Sequence, residues 1–258
     1  MDEVDGGGVQ GRVVIVTGAG QGIGQGMALH LAEHGARIVV AELEEHRAEA
    51  TVAAIRGLGG DALAVTTDVQ DRASVRAMVE ATVEAHGRLD GLINNAHTFT
   101  PRRPLLEVGD EDLETNLRSG VCGALWAMQA AHPHMAARGW GRIVNFVSAA
   151  GITGMAGYGA YNIAKEGARA LTRTAAREWG RDGIVVNAIA PGAASKRGKD
   201  AAEHGSEAFE TFLRTHPMGR QGDPREDIAP VARFLCSDAC RFVTGMTFMV
   251  DGGAFIHA

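Results

Sequence analysis

The sequence predicts an α/β protein built on a doubly wound, mostly parallel sheet. Short apolar runs recur along the chain, they alternate with segments of helical spacing, and glycine or polar residues stand where several runs end. Runs that are apolar throughout are typical of strands buried on both faces of a parallel sheet. At 258 residues and 45% hydrophobic content, the chain is long enough for one large core. We expect a disordered tail over 1–10 and a single domain over 11–258.

The first unit is a strand, a glycine-rich turn and a helix. Residues 12–17 (RVVIVT) form the strand, GAGQGIGQG follows from Gly18, and the helical segment ends at Gly35. This order directs backbone N–H groups and a helix N-terminus at a pyrophosphate. The glycines fit the spacing Gly18-x-x-x-Gly22-x-Gly24 and do not fit GxGxxG.

The second strand, 36–41, ends at Glu42. A carboxylate 18 residues after Gly24 is placed to accept both hydroxyls of an adenosine ribose and to repel a 2′-phosphate. Because Gln21 stands in the loop where a cation would be needed, NAD is favoured over NADP. The alternative is that Glu42 is a solvated strand end.

The pattern then repeats as helix, strand, helix and strand, over residues 44–57, 61–67, 71–86 and 89–93. Polar residues follow both strands, and ligands bind at the carboxyl ends of strands in open α/β sheets. Asp68 is placed to bond the adenine amino group, and Asn94 to line a cofactor trough.

A later apolar strand ends at Ser148, and the helix that follows carries Tyr161 and Lys165 one turn apart. That spacing places both side chains on one helix face. An ammonium near a phenol favours the phenolate, so we expect Lys165 to bring the pKa of Tyr161 toward neutral. Ser148 is placed to donate to the same substrate oxygen. Chance pairing is the alternative; the other tyrosine, Tyr158, has Asn162 at the equivalent spacing.

Together these motifs resemble the compact form of the short-chain dehydrogenase/reductase family, from Arg12 to Gly253. The matching motifs are TGAGQGIG (17–24), DV (68–69), NNA (94–96), Asn116 in a helix, Ser148, YNIAK (161–165), PG (191–192) and VDGG (250–253). The resemblance implies a Rossmann-type sheet of seven parallel strands in the order 3-2-1-4-5-6-7, with helices on both faces. It also implies NAD(P)-dependent oxidoreductase activity.

The resemblance implies a role for each catalytic residue. Tyr161 is the acid/base, Ser148 orients the carbonyl or alcohol, Lys165 binds the nicotinamide ribose, and Asn116 holds a water that links Lys165 to solvent. The implied cofactor-binding residues are Gly18, Gln21, Gly22, Ile23, Gly24, Glu42, Asp68, Val69, Asn94, Ala96, Tyr161, Lys165, Pro191 and Gly192.

The chain departs from the family pattern at two positions. His97 stands where the family usually has glycine after Asn-Asn-Ala; it either shapes substrate choice or points away, and we favour the second. Beyond Pro191-Gly192 the family often has threonine to hold the carboxamide, and Ser195 is at best a shifted substitute.

Residues 193–220 form the most irregular part of the chain and are predicted to be a substrate lid. The lid carries several basic residues, and the 97–104 loop adds Arg102 and Arg103. One hypothesis is that these two segments meet over the site and favour an anionic substrate. The alternative is that they are only solvated.

Composition excludes several classes of function. A net charge of −6 and a pI of about 5.9 argue against a nucleic-acid surface. Three cysteines give no disulfide framework, fit a reducing cytoplasmic compartment, and are expected to be small buried residues. His132 and His134 do not share a helix face, so no metal site is expected.

Residues 119–137 and 143–164 carry no charge. Polar, glycine and proline residues interrupt both runs, so neither is predicted to span a membrane. The resemblance implies a homotetramer built through the helices at 115–138 and 157–181, which would bury these runs.

The sequence therefore predicts an NAD-dependent oxidoreductase that interconverts a secondary alcohol and a ketone, with Tyr161 moving the proton. One alternative is an NADP-dependent reductase acting on a 3-oxoacyl thioester. The other is a non-enzymatic, dinucleotide-sensing regulator, which a missing Ser148, Tyr161 or Lys165 would indicate. Substrate and physiological direction stay open, although NAD preference favours oxidation.

Overall fold

The computed structural model describes residues 8–193, 211 and 214–256. Seven strands form one sheet in the order β3-β2-β1-β4-β5-β6-β7, and every neighbouring pair is parallel. The predicted fold class and strand order are therefore confirmed. The strands are β1 (Val13–Thr17), β2 (Arg37–Glu42), β3 (Asp61–Thr66), β4 (Gly91–Asn94), β5 (Gly141–Phe146), β6 (Ile184–Pro191) and β7 (Thr247–Val250).

Helices cover both faces of the sheet. They are α1 (Gly22–Glu33), α2 (Glu45–Gly57), α3 (Arg72–His86), α4 (Asp110–Leu117), α5 (Gly123–Ala136), α6 (Ala149–Thr153), α7 (Gly159–Trp179) and α8 (Ala229–Leu235). Alternate residues of β1 enter different cores: Val14 and Val16 pack with α1, α2 and α8, and Val13 and Ile15 pack with α3, α5 and α7. This alternation is what a strand covered on both faces requires.

Two elements differ from their predicted form. β5 ends at Phe146, because the Ser148 side chain accepts from the Ala150 N–H at 3.2 Å and caps the short helix α6. A π-helical turn, Arg118–Cys122, separates α4 from α5, where one continuous helix was expected.

The folded domain begins earlier than predicted. Val9 is fully buried in the core beside α1 and β2, and the Gly11 N–H donates to Gly35 O at 2.8 Å. The predicted tail boundary at residue 10 is therefore wrong, because an apolar side chain in that stretch packs against the domain. Residues 1–7 lie outside the described residues.

The described residues include no helix with the length and apolar character needed to cross a bilayer. They also contain no group of three or more potential metal-ligating side chains. Cys236 and Cys240 are buried as predicted, whereas Cys122 is only half-buried. Burial raises the pKa of the Cys236 thiol to about 12, so this thiol is unreactive at neutral pH.

Candidate active site

Glycines shape the turn between β1 and α1. A Cβ atom at Gly24 would lie 2.2 Å from Gly18 O, and Gly18 has a φ of +64°, in the left-handed region. Gln21 precedes α1 without a capping hydrogen bond from its side chain, and the space above Gly22 is open to 4 Å. The first N–H groups of α1 thus face a cradle that fits a pyrophosphate. Ile23 instead packs against the core.

Asn95 and Thr17 hold this turn against the end of β4. The Asn95 amide donates to Thr17 O at 2.9 Å and to Gly18 O at 3.2 Å. In return, Thr17 Oγ1 accepts from the N–H groups of Asn95 and Ala96, at 3.0 and 3.1 Å. Sequence reasoning assigned roles to Asn94 and Ala96 and missed Asn95; the signal was the second asparagine at the strand end.

Glu42 is the last residue of β2 and turns toward the glycine-rich turn. Its carboxylate accepts from Gly20 N and from Leu43 N, both at 2.9 Å, and the residue is 8% exposed. The alternative of a solvated strand end is therefore wrong. Arg47 lies beside the same turn, because a Cβ atom on Gly20 would meet the Arg47 Cβ at 2.6 Å. This cation was missed in the sequence.

Four predicted site residues, Val69, Asn94, Ala96 and Lys165, line one cavity. The wall includes Thr17, Val69, Asn94, Ala96, Phe146 and Lys165. Asp68 is half-buried just before Val69, and its side chain accepts from Gln70 N at 2.8 Å. Pro191 ends β6 at the same edge of the sheet, and Gly192 packs so closely on Asp251 that a Cβ atom would lie 2.6 Å from its Cα.

Lys165 is buried next to Tyr161. Its Nζ donates to Phe146 O at 2.9 Å and lies 5.6 Å from the centroid of the Tyr161 ring. The residue is only 5% exposed, and this burial lowers the pKa of Lys165 to about 8. The ammonium therefore keeps its proton at neutral pH but loses it more readily than an exposed lysine.

The pKa of Tyr161 is raised above its usual value, and the predicted lowering is wrong. Burial is the largest cause, a hydrogen bond with the Ser148 side chain opposes it, and Tyr158 adds to it. Lys165 is not among the causes of the shift, and its ammonium donates to Phe146 O. The phenol is thus in its protonated form at neutral pH.

Asn116 is completely buried in α4. Its amide nitrogen donates to Thr100 Oγ1 and to Asp112 O, both at 2.8 Å. Its carbonyl oxygen lies 2.9 Å from His97 Nε2. The nitrogen and the oxygen of the Asn116 side chain both have protein partners. The predicted water relay would therefore use the backbone carbonyl of Asn116.

His97 points into the site, so the favoured prediction that it points away is wrong. Its ring meets the Tyr161 ring edge-on, with centroids 5.0 Å apart and an interplanar angle of 81°. The Phe99 ring stacks on the Tyr161 ring, with centroids 5.3 Å apart and an interplanar angle of 22°. Sequence reasoning missed Phe99, because an aromatic residue in a loop carries no positional signal.

Three of the basic residues in the described part of the chain have partners outside the site, and the basic residues at 196–199 lie outside the described residues. Arg103 pairs with Asp112 at 3.0 Å, and Arg220 pairs with Asp227. The Arg102 guanidinium lies over the Tyr158 ring, 4.3 Å from its centroid. Carboxylates thus neutralise two of the cations on which the anionic-substrate hypothesis rested. Ser195 and most of the predicted lid fall outside the described residues.

Comparison with known proteins identifies the family. Residues 18–254 match the family described as Enoyl-(Acyl carrier protein) reductase. The chain is 38% identical over 247 residues to 2,5-dichloro-2,5-cyclohexadiene-1,4-diol dehydrogenase of Sphingobium indicum, covering 95% of this chain and 97% of that one. It is 36% identical over 246 residues to a 3-oxoacyl-[acyl-carrier-protein] reductase of Staphylococcus aureus, covering 95% and 98%.

The crystal structure of levodione reductase superimposes with a TM-score of 0.89 at 33% identity, covering 95% of this chain and 99% of that one. Fold, motif order and relatives therefore agree. The chain belongs to the short-chain dehydrogenase/reductase family, whose members bind a nicotinamide dinucleotide, and it is an oxidoreductase that acts on hydroxyl and keto groups.

Proposed function

We propose that the protein is an NAD-dependent oxidoreductase that interconverts a secondary alcohol and a ketone, with Tyr161 as its acid/base. The observation that supports this most directly is the convergence of three side chains at the carboxyl end of β5. Ser148 acts on the pKa of the Tyr161 phenol, and Lys165 Nζ lies 5.6 Å from the centroid of the Tyr161 ring. Of the three, Lys165 lines the cavity whose wall also includes Thr17, the last residue of β1.

Each residue has a distinct task in this proposal. When bound, the nicotinamide dinucleotide supplies the hydride donor or acceptor. Tyr161 gives its phenolic proton to the substrate oxygen during reduction and takes the hydroxyl proton during oxidation. Ser148 donates a hydrogen bond to that oxygen, and Lys165 donates to the ribose hydroxyls.

The protonation state of Tyr161 bears on direction. The phenol carries its proton at neutral pH, as ketone reduction requires, and its raised pKa makes the phenolate harder to form. Alcohol oxidation needs the phenolate, so its rate should climb as the pH rises above neutral. This weakens the expectation that NAD preference by itself favours oxidation.

Glu42 supports NAD as the cofactor. Its carboxylate is fixed beside the loop by two backbone N–H groups, where it can accept ribose hydroxyls and repel a phosphate. Arg47, next to Gly20, favours the second candidate, an NADP-dependent reductase of 3-oxoacyl thioesters. The similarity to a 3-oxoacyl reductase gives this alternative its substrate class.

Parallel fluorescence titrations with NADH and NADPH test the cofactor. Tighter binding of NADH is expected; tighter binding of NADPH would move the second candidate to first place. Tyr161→Phe is then expected to abolish turnover of a panel of cyclic and linear secondary alcohols while NADH binding stays close to wild type. Tyr158→Phe is the matched control and should retain turnover, whereas substantial activity in Tyr161→Phe would refute the assignment.

The assembly and location of the protein stay predictions. We propose a cytoplasmic homotetramer of single-domain subunits, each acting on a small molecule. Contact through the helices at 115–138 and 157–181 would cover the uncharged runs 119–137 and 143–164. Light scattering on the purified protein tests the assembly, because a monomer would exclude it.

A further inference from the structure

His97 occupies a slot that Gly120 leaves open. A Cβ atom at residue 120 would lie 2.8 Å from His97 Nδ1 and 3.3 Å from the Ala164 Cβ. The imidazole therefore fills the space between the π-helical turn and α7. It makes T-shaped contacts with the rings of Tyr161 and Phe99. No other residue type at position 120 leaves room for this ring.

Hydrogen bonds fix the protonation of the imidazole. Asn116 uses its amide nitrogen for Thr100 and Asp112, so its oxygen faces His97 Nε2 at 2.9 Å. An amide oxygen only accepts, and Nε2 is consequently the protonated nitrogen. Nδ1 then carries a lone pair, and among the described side chains it has no hydrogen-bond partner although the atom is buried.

The imidazole is uncharged at neutral pH. Burial is the main cause, and the nearby Lys165 charge adds to it, so the pKa of His97 falls to about 3. The titratable groups that face Tyr161 from the described elements are His97, Tyr158 and Lys165. At neutral pH Lys165 carries a charge and His97 does not.

We propose that His97 is a positioning residue for Tyr161: its neutral ring, anchored to Asn116 and seated beside Gly120, fixes the phenol ring and excludes water from its edge. The proposal rests on the proposed function in that Tyr161 is the acid/base. A glycine at position 97 would leave that edge open and would free the oxygen of Asn116. The pKa of Tyr161 then depends on His97 as well as on the helix that carries Tyr161.

Titration of Tyr161 tests this without cofactor or substrate. The chain has two tyrosines, so a Tyr158→Phe background leaves tyrosinate absorbance near 295 nm to report on Tyr161 alone. Rapid pH jumps allow the reading before alkaline unfolding. In this background His97→Gly is expected to lower the titration midpoint by about one pH unit, because water reaches the phenolate. His97→Phe keeps a ring in the slot and should leave the midpoint unchanged.

Gly120→Ala gives an independent variant, because its Cβ must displace the imidazole and should lower the midpoint in the same direction. It decides the test if His97→Gly does not fold. An unchanged midpoint in the folded His97→Gly or Gly120→Ala protein overturns the proposal. So does an equal drop in His97→Phe, because the ring would then not be what excludes water. Absence of turnover with every alcohol would refute the proposed function but leave this titration readable.

Discussion

Replacing Lys165 with methionine should stabilise the fold while it removes a residue of the proposed site. Methionine is one atom shorter than lysine, keeps most of its volume and never carries a charge. Lys165 is 5% exposed, and burial lowers its pKa from 10.5 to about 8. The folded state therefore disfavours the charged form, and the native lysine costs stability at neutral pH.

The size of the effect follows from this shift. One pKa unit corresponds to about 1.4 kcal/mol, so the shift from 10.5 to about 8 corresponds to about 3 kcal/mol. Methionine also loses the hydrogen bond from Nζ to Phe146 O, which offsets about 1 kcal/mol. The net expectation at pH 7 is a gain of about 2 kcal/mol, or about 4–8 °C in melting temperature for a chain of this size.

The sign of the pH dependence separates this effect from better packing. Below pH 8 lysine is charged in both states and the cost is complete; between pH 8 and 10.5 the folded state sheds its proton first, and the cost falls. By pH 9.5 the wild-type protein recovers about 2 kcal/mol, so the two melting curves should nearly coincide.

Thermal unfolding followed by circular dichroism, at one protein concentration and at pH 7 and 9.5, measures both quantities. Arg173→Met is the matched control, because it removes an exposed cation from the same helix and should change stability by less than about 0.5 kcal/mol at either pH. A lower melting temperature for Lys165→Met at pH 7 would refute the reasoning. A gain of the same size at both pH values would do so as well, since the charge would then not be its source.

Three further variants test the turn and the core. Gly24→Ala would place a Cβ atom 2.2 Å from Gly18 O, so it should destabilise the fold by about 2 kcal/mol and abolish NADH binding, whereas Gly57→Ala, with open space around it, should do neither. Glu42→Ser removes a buried carboxylate beside the loop and should weaken NADH binding and strengthen NADPH binding, each by about tenfold, in the fluorescence titrations. Asp90→Asn removes the charge of a fully buried carboxylate that pairs with Arg88 at 2.6 Å. Chemical denaturation should show that the free energy of unfolding falls by about 3 kcal/mol.

The sequence is sufficient for those features whose signals are local. The strands and the glycine-rich turn follow from apolar runs and from glycine spacing, and their observed bounds differ from the predicted ones by a few residues. Glu42 also follows, because a position at the end of a strand fixes which edge of the sheet it faces. A feature that lies within one unit of strand, turn and helix can thus be predicted from that segment of the sequence alone.

The behaviour of the site depends on contacts between distant parts of the chain, and this is where prediction fails. The direction of His97 is decided by Gly120, which no spacing rule connects to it. The spacing from Tyr161 to Lys165 predicts a nearby cation, but it does not reveal that Nζ turns to Phe146 O. Nor does it reveal that aromatic rings bury the phenol, and the sign of the Tyr161 pKa shift depends on that burial.

A buried polar network fixes the alignment of α7, the helix that carries Tyr161 and Lys165, against β4 and β5. The Asn94 amide donates to Asn145 Oδ1 at 2.9 Å, and the Asn145 amide donates to Thr172 Oγ1 at 2.9 Å, so one chain of bonds joins β4, β5 and α7. All three side chains are at least nine-tenths buried. A shift of α7 by one turn would move Thr172 Oγ1 away from the Asn145 amide, and the loss of this buried bond would cost about 1–3 kcal/mol. Apolar packing alone tolerates such a shift more readily, and the polar residues therefore specify the alignment on which the proposed acid/base chemistry depends.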